Sequence, residues 1–268
     1  MNHLFAGWNR LKSEFKNKFI YLFLDYDGTL TPIVDTPEKA VLHREVKEIL
    51  KKLTINSKCK IAIISGRSLK DIKNKIGLNN IFYVGNHGLE IEGGKIKFES
   101  RISSEIKLII RQIREDLSNR LSTFKGVFIE DKGLTLSFHY RLADKKGMTS
   151  IKKIFNEVTH PYLTQNKIKI NPGKMVYDIK PSVTWNKGTA VLLLLEQQRT
   201  LIREEPVIPI YIGDDVMDED AFEVLKDKGL TIFVGEPCKS KARNYLKDHT
   251  EVTKFLNQIL EIQNGANA

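Results

Sequence analysis

Two aspartates one residue apart, Asp25 and Asp27, end the apolar run of the stretch YLFLDYDGTL and are the residues most suited to chemistry. A strand followed by a polar turn would account for Asp27 and Gly28, because both residue types are common in turns. It would not account for Asp25, which carries a charge at the end of the apolar run. Carboxylates at i and i+2 lie on the same side of an extended chain and repel each other unless a cation or a shared proton relieves them. The pair therefore predicts a metal site or an acid/base site.

A second group of acids lies far along the chain, in the stretch GDDVMDED at residues 213–220. Some of these carboxylates are expected at a helix start, where the helix dipole favours negative charge. Five acids within seven residues exceed that need. Together the two groups predict a cage of hard oxygen ligands suited to Mg²⁺. The acids predicted to hold it are Asp25, Asp27, Asp214 and Asp215, with Asp218 in support.

Further polar residues follow the other predicted strands. Ser65-Gly66-Arg67 offers a hydroxyl and a flexible turn before a helix, which suits a phosphoryl oxygen, although SGR alone is usually an ordinary helix cap. The stretch GNHG combines glycines that permit close approach with a histidine that could equally be structural. Lys187, at the start of a predicted helix, is the cation expected to balance the charge of the two acidic groups. Ser65 and Lys187 are predicted to be catalytic, together with Asp25 and Asp27, and the residues predicted to bind substrate here are Arg67, Asn86, His87 and Gly88.

These pieces together predict phosphoryl transfer through an aspartyl-phosphate. The hypothesis needs Mg²⁺, an aspartate as nucleophile, a second aspartate two residues on, a serine and a lysine. On this interpretation the strand ends at Asp25 because that carboxylate attacks phosphorus, with Mg²⁺ lowering the repulsion between the two anions.

Short apolar strands alternate with helical patterns in the first and last parts of the chain, which predicts a parallel sheet covered by helices on both faces. Ligands of such sheets bind beyond the carboxyl ends of the strands, where the polar residues above are expected. The predicted strands are 19–24, 60–64, 81–84, 208–212 and 230–234, and the predicted helices are about 43–53, 68–76, 187–198 and 218–228.

Residues 101–182 follow a different pattern, in which a helix and a hairpin occur twice. The predicted helices are 103–121 and about 148–158, and the predicted strand pairs are 127–130 with 134–140 and 167–170 with 174–179. The turns contain Asp-Lys-Gly and Asn-Pro-Gly, which suit hairpins. We therefore expect an α/β core, residues 1–100 and 183–268, interrupted by an inserted α+β domain with an antiparallel sheet and two helices on one face.

Composition narrows the class of protein. Two isolated cysteines among 268 residues argue against a disulfide framework or a zinc site and favour a cytoplasmic location. No signal peptide is expected, and the longest apolar run, at 190–195, has six residues, which predicts no membrane span. The net charge of +10 would suit nucleic acid or an anionic small molecule. No platform of aromatic and basic residues for nucleic acid is evident, so a nucleic-acid-binding module is a remote alternative.

The motifs DYDGT, SGR, Lys187-Gly188 and GDD, in this order, resemble those of the haloacid dehalogenase superfamily of phosphotransferases. The resemblance implies a Rossmann-like core in which Asp25 is the nucleophile and Asp27 the general acid/base. It implies that Ser65 and Lys187 hold the phosphoryl group. It also implies that Mg²⁺ is bound by Asp25, the Asp27 backbone carbonyl and an acid of the last motif, Asp214, with Asp215 and Asp218 supporting.

The stretches GNHG, EDKGLTLSFHYR, GKMVYDIKP and GDDVMDEDAF look like those of trehalose-6-phosphate phosphatases. This likeness implies a C2B-type cap that reads the sugar, trehalose 6-phosphate as substrate, and a trehalose-phosphate synthase upstream. The cap positions implied to bind the sugar are Glu130, Lys132, Arg141, Lys174 and Asp178. The family usually has Glu at position 178 and commonly Thr at position 217, where this chain has Met. A phosphatase for sucrose phosphate or mannosyl-phosphoglycerate, or a phosphomutase, remains an alternative.

Overall fold

In the computed structural model of the protein, which describes residues 1–201 and 206–265, the apolar run before Asp27 forms the strand Phe19–Asp25. All seven of its residues are buried. A strand buried along its whole length has neighbours on both edges and cover on both faces, so this strand lies at the centre of the fold.

The described residues contain thirteen strands and eight α-helices. In chain order the strands are β1 (Asn2–His3), β2 (Phe19–Asp25), β3 (Cys59–Ile64), β4 (Phe82–Gly85), β5 (Glu90–Gly93), β6 (Ile96–Glu99), β7 (Phe128–Asp131), β8 (Leu136–His139), β9 (Ile168–Gly173), β10 (Val176–Pro181), β11 (Val207–Gly213), β12 (Leu230–Val234) and β13 (Asn244–Leu246). The α-helices are α1 (Trp8–Phe15), α2 (Arg44–Ile55), α3 (Leu69–Ile76), α4 (Ser104–Arg120), α5 (Met148–Thr164), α6 (Lys187–Leu201), α7 (Glu219–Leu225) and α8 (His249–Gly265). Among the residues described, no helix has both the length and the apolar character that a membrane crossing requires.

The chain divides into two compact units. The first contains Met1–Glu99 and the chain from Trp185 onward, and the second is Ser100–Thr184. This division lies close to the one expected from the sequence, at residues 101 and 182. The chain leaves and rejoins the first unit beside one ring pair, because the centroids of Phe98 and Trp185 are 4.6 Å apart.

The first unit is built on a nine-stranded sheet with the order β1-β13-β12-β11-β2-β3-β4-β5-β6. Its strands from β1 to β4 in this order are parallel, and β5 and β6 add an antiparallel edge. The prediction of a parallel sheet is confirmed. The edge hairpin, the pair β1 and β13, and the terminal helices α1 and α8 were not predicted.

Both faces of this sheet are covered, as predicted. Leu22 and Leu24 of β2 point to a cluster that includes residues of α2, α3 and α8. Tyr21 and Phe23 point to the opposite cluster, with residues of α6 and α7. Burying each large apolar side chain contributes roughly 1.5–3 kcal/mol, so the alternation fixes the strand firmly between two layers of helices.

The second unit has a four-stranded antiparallel sheet with the order β7-β8-β10-β9. Leu136, Phe138 and Tyr140 lie in one apolar cluster with residues of α4 and α5, so both helices cover one face of this sheet, as predicted. The opposite face is polar. Helix α5 continues through Pro161 to Thr164, beyond the predicted end near 158.

Candidate active site

The carboxyl ends of four adjacent strands bring the predicted catalytic residues together. Asp25, the last residue of β2, pairs with Ile64 of β3, and Ile64 pairs in turn with Val84 of β4. On the other side, Leu24 pairs with Ile212 of β11. The residues that follow these strands are therefore neighbours at one edge of the sheet: Ser65, Asn86 and Asp214.

Lys187 joins the two acidic motifs. Its Nζ donates a hydrogen bond to Asp25 Oδ1 at 2.8 Å and another to Asp218 Oδ1 at 2.7 Å. The lysine side chain is 4% exposed and the aspartates are 7% and 1% exposed. Burial opposes the charge of Lys187, but the two carboxylates more than offset it and raise its pKa well above its usual value. Lys187 is therefore a cation in this site.

Three buried carboxylates lie together in this site. One oxygen each of Asp25, Asp214 and Asp218 lies within 4.8 Å of the others. Burial raises the pKa of Asp25 well above its usual value; Lys187 lowers it, and the charges of Asp218 and Asp214 raise it further. Carboxylates this close together repel one another, and their oxygens are the ligands that a divalent cation such as Mg²⁺ prefers, so the donor set fits such a cation.

Asp218 supports the cluster through a full set of hydrogen bonds. Its Oδ1 accepts from Lys187 and from the Tyr211 hydroxyl at 2.6 Å, and its Oδ2 accepts from the backbone N–H groups of Asp214 and Asp215, both at 3.0 Å. Asp218 thereby links the side chain of Lys187 to the backbone of the loop after β11. Sequence reasoning missed Tyr211, which occurs within an apolar strand and has the pattern of a core residue.

Two of the remaining acids after β11, Asp215 and Glu219, accept hydrogen bonds from the backbone. Asp215 accepts a hydrogen bond from the Val216 backbone and caps the short 3-10 helix Val216–Asp218. Glu219 accepts from the backbone N–H of Lys241. Of the acids after β11, the structure thus brings Asp214 and Asp218 into the cluster with Asp25 and gives Asp215 a capping contact.

Gly28 lies directly against the carboxylate of Asp214. Its φ is +92°, and a Cβ at this position would overlap that carboxylate. Only glycine accepts this backbone conformation and this close approach without strain. The backbone of the loop after β2 therefore reaches the acid cluster, which fits a cation bound by both segments.

The carboxylate of Asp27 has a different partner from that of Asp25. Arg67 donates from Nε to Asp27 Oδ2 at 2.7 Å and from Nη2 to Oδ1 at 2.6 Å. The Asp27 side chain is 42% exposed, whereas that of Arg67 is 7% exposed. Arg67 was predicted to bind substrate, and the structure instead places its guanidinium on Asp27.

Ser65 and the GNHG loop form one backbone unit. Ser65 Oγ accepts from the Arg67 N–H at 3.1 Å, and the His87 N–H donates to the Ser65 carbonyl at 3.0 Å. Asn86 and His87 have φ values of 48° and 58°, in the left-handed region. A Cβ at Gly88 would overlap the Asn186 carbonyl, so this loop also lies against the residue that precedes Lys187.

The second unit has its own polar cluster. Glu130 and Asp178 both pair with Ser137 across the sheet, which places them on one face. His139 Nε2 lies 3.0 Å from Glu130, and Asp178 accepts hydrogen bonds from Lys132, at 3.4 Å, and from Ser137.

Two further predicted sugar-binding residues, Arg141 and Lys174, are joined by a hydrogen bond of 2.6 Å from Arg141 Nη2 to the Lys174 carbonyl. Sequence reasoning did not single out His139, whose ring stacks on Phe128 with centroids 4.3 Å apart. His139 could have been predicted from its position on the polar face of β8.

Comparison with known proteins identifies relatives of this chain. Residues 23–251 match the family model described as trehalose-phosphatase. The chain is 34% identical over 258 residues to trehalose-phosphate phosphatase B of Arabidopsis thaliana, covering 92% of this chain and 67% of that protein. It is also 34% identical over 266 residues to probable trehalose-phosphate phosphatase 4 of Oryza sativa subsp. japonica, covering 96% and 70%.

Solved structures show the same fold. The C-terminal domain of the C. albicans trehalose-6-phosphate phosphatase aligns with a TM-score of 0.80 at 24% identity, covering 97% of this chain and 98% of that domain. A trehalose-6-phosphate phosphatase related protein aligns with a TM-score of 0.73 at 28% identity, covering 91% and 99%. With the family match across most of its length, the chain belongs to the trehalose-phosphatase family.

Proposed function

We propose that this protein hydrolyses trehalose 6-phosphate to trehalose and inorganic phosphate, with Mg²⁺ as its metal and a phosphorylated Asp25 as the intermediate. The observation that carries the proposal is the buried Asp25 carboxylate at the end of the central strand, held by Lys187 and surrounded by acids. The names of the plant relatives support the substrate. A trehalose-phosphate synthase would supply it.

Asp25 is the nucleophile in this proposal. One carboxylate oxygen attacks phosphorus while Lys187, bonded to Oδ1, holds the side chain in place and offsets negative charge as phosphate arrives. Ser65, which follows the neighbouring strand, would hold a phosphoryl oxygen. The bond to the sugar oxygen breaks as the bond to Asp25 forms.

Asp27 moves the protons. It donates one to the departing sugar oxygen and later accepts one from the water that attacks the phosphorylated Asp25. Asp25, Asp214 and the backbone carbonyl of Asp27 would hold Mg²⁺. When bound, this ion lowers the repulsion between the carboxylate and the phosphate.

The polar face of the second unit would bind the hydroxyls of the sugar. Sugar hydroxyls both donate and accept hydrogen bonds, and this face offers carboxylates and amines together. The residues proposed for this role are Glu130, Lys132, Arg141, Lys174 and Asp178.

The test is phosphate release from a panel of sugar phosphates, with Mg²⁺ and with excess chelator. We expect trehalose 6-phosphate to give the highest kcat/KM and chelator to abolish turnover. Full activity in chelator would reject the metal. Preference for sucrose phosphate or mannosyl-phosphoglycerate would reject the substrate, and return of phosphate to the sugar would indicate a phosphomutase.

A further inference from the structure

The guanidinium of Arg67 makes four hydrogen bonds to three segments of the first unit. Two go to the Asp27 carboxylate, one goes from Nη1 to Asp71 Oδ2 at 2.7 Å, and one goes from Nη2 to the Pro37 carbonyl at 2.8 Å. The guanidinium carbon also lies 5.4 Å from the ring centroid of buried Tyr26. A side chain with so many partners has one conformation.

These contacts leave Arg67 poorly suited to the phosphate-binding role predicted from the SGR motif. Four of its five N–H donors are committed within the protein, and the side chain is 7% exposed. Burial opposes the guanidinium charge, but the two carboxylates more than offset this and raise the pKa of Arg67. The residue is a permanent buried cation that faces two acids.

Asp27 depends on this cation for its position. Within the part of the chain that the structure describes, both side-chain hydrogen bonds of Asp27 come from Arg67. An aspartate that is 42% exposed would otherwise exchange between rotamers. The two-pronged geometry fixes the plane of the carboxylate as well as its location.

We propose that Arg67 is a positioning residue that aims the Asp27 carboxylate at the reacting oxygen, with Asp71 as the second anchor that keeps Arg67 in place. This inference rests on the proposed function, because it needs Asp27 as the proton-transfer group. It replaces the substrate-binding role predicted for Arg67.

Two proton transfers require the Asp27 carboxylate to point at a reacting oxygen atom. In the first step the proton on Asp27 moves to the ester oxygen as the P–O bond to the alcohol breaks and the bond from Asp25 to phosphorus forms. In the second step Asp27 takes a proton from water as the water oxygen bonds phosphorus and the Asp25 bond breaks. One Asp27 oxygen must face the reacting oxygen atom in both steps. Arg67 stays hydrogen-bonded to Asp71 throughout, so the guanidinium keeps its position while an Asp27 oxygen gives or takes a proton.

The sharpest readout is dependence on the leaving group. A sugar alkoxide needs a proton as it departs, whereas a nitrophenolate needs one far less. In kcat/KM, which covers the steps up to release of the alcohol, Arg67→Met should cost about 100-fold for trehalose 6-phosphate and less than about 10-fold for p-nitrophenyl phosphate. Arg67→Lys keeps the charge without the fork and should fall between wild type and Arg67→Met.

A double-mutant cycle then tests whether Arg67 acts through Asp27. Asp27→Asn should show the same contrast between substrates, and adding Arg67→Met to it should change kcat/KM by less than about three-fold. Arg243→Gln is the matched control, because Arg243 pairs with Asp227 elsewhere in the same unit. This control should leave both substrates unchanged.

Three results would overturn the inference: equal losses for the two substrates, losses that multiply in the double variant, or a raised KM with kcat intact, which would restore the phosphate-binding role. If thermal unfolding shows that Arg67→Met does not fold, Arg67→Lys and Asp71→Asn replace it in the cycle under the same criteria. If the protein cleaves aryl phosphates but not trehalose 6-phosphate, only the proposed substrate fails, and the preferred sugar phosphate replaces it in the comparison. If no phosphomonoester is cleaved, both proposals are rejected.

Discussion

The acid cluster of the first unit and the polar face of the second unit use the same residue types at different degrees of exposure. In the cluster, Asp25, Asp218 and Lys187 are buried, and backbone N–H groups and a tyrosine fix them. On the polar face, Glu130 and His139 form a pair that is 25% and 17% exposed, and Asp178 and Lys132 form a pair that is 14% and 7% exposed.

The difference in exposure fits the two tasks that we propose for these sites. A nucleophile must meet phosphorus in one geometry, and charges in a dry, fixed site interact more strongly than in water. Hydroxyl recognition spreads over several hydrogen bonds of about 0.5–1.5 kcal/mol each, so partial exposure costs it little. Changes in the cluster should therefore affect chemistry or folding for every substrate, whereas changes on the face should affect only the sugar.

The largest expected effect is that of Asp25→Asn. The amide cannot attack phosphorus, so kcat should fall at least about 1,000-fold for both trehalose 6-phosphate and an aryl phosphate, equivalent to about 4 kcal/mol. Asp35→Asn, at an exposed position in the loop after the same strand, is the control and should be unchanged. More than about a hundredth of normal kcat in Asp25→Asn would contradict covalent catalysis at this residue.

Lys187→Met should come next, measured by chemical denaturation. The variant leaves two buried aspartates without their cation, so the free energy of unfolding should fall by about 3–5 kcal/mol. Lys167→Met removes the exposed pair with Glu105 in the second unit and should cost under about 1 kcal/mol. A similar loss of unfolding free energy in the two variants would contradict the view that the buried pairs of the acid cluster matter more for stability than an exposed pair of the second unit.

The double change Glu130→Ala with Lys132→Ala tests the polar face. It should lower kcat/KM for trehalose 6-phosphate by about 10- to 1,000-fold, because two hydrogen-bonding groups are lost and their partners are left unpaired. For a small aryl phosphate kcat/KM should stay within about three-fold. A parallel decline for both substrates would mean that these residues are structural.

Asp178→Glu should have the smallest effect. It restores the longer carboxylate usual in the family, beside Lys132 and Ser137. We expect kcat/KM for trehalose 6-phosphate to be equal or higher. A ten-fold loss would show that the shorter side chain is matched to its surroundings in this chain.

Most of the fold could be predicted because hydrophobic periodicity and turn residues are local signals. The strand 230–234 has the predicted ends, and β2 and β3 differ from prediction by one residue. The hairpin of β5 and β6 was missed because its strands have four residues each and are rich in charge. Their pairing with β4 depends on contacts that no local pattern reports.

Some parts of the site could likewise be predicted from local signals, and others could not. Asp25, Asp214 and Lys187 could be predicted because each stands at the end of a strand or the start of a helix, where topology alone brings them together. The contacts of Arg67 could not be predicted, because its partner Asp27 lies 40 positions away and Asp71 has the pattern of an ordinary first-turn acid. Tyr211 was missed for a similar reason, since its hydroxyl bond to Asp218 is invisible in an apolar run.

Phe98 and Trp185 lie in contact at the two points where the chain leaves and rejoins the first unit, so in topological terms the second unit is a long insertion with neighbouring ends. Its two ends meet, so a change in the length or content of the insert adds only slowly to the entropy of closing it. Insertions of this kind are tolerated where the flanking chain is already close in space. Evolution can therefore exchange the segment that we propose binds the sugar while the strands next to Asp25 and Asp214 keep their order. On this proposal, one phosphatase scaffold can acquire a new substrate by replacing a single continuous piece of chain.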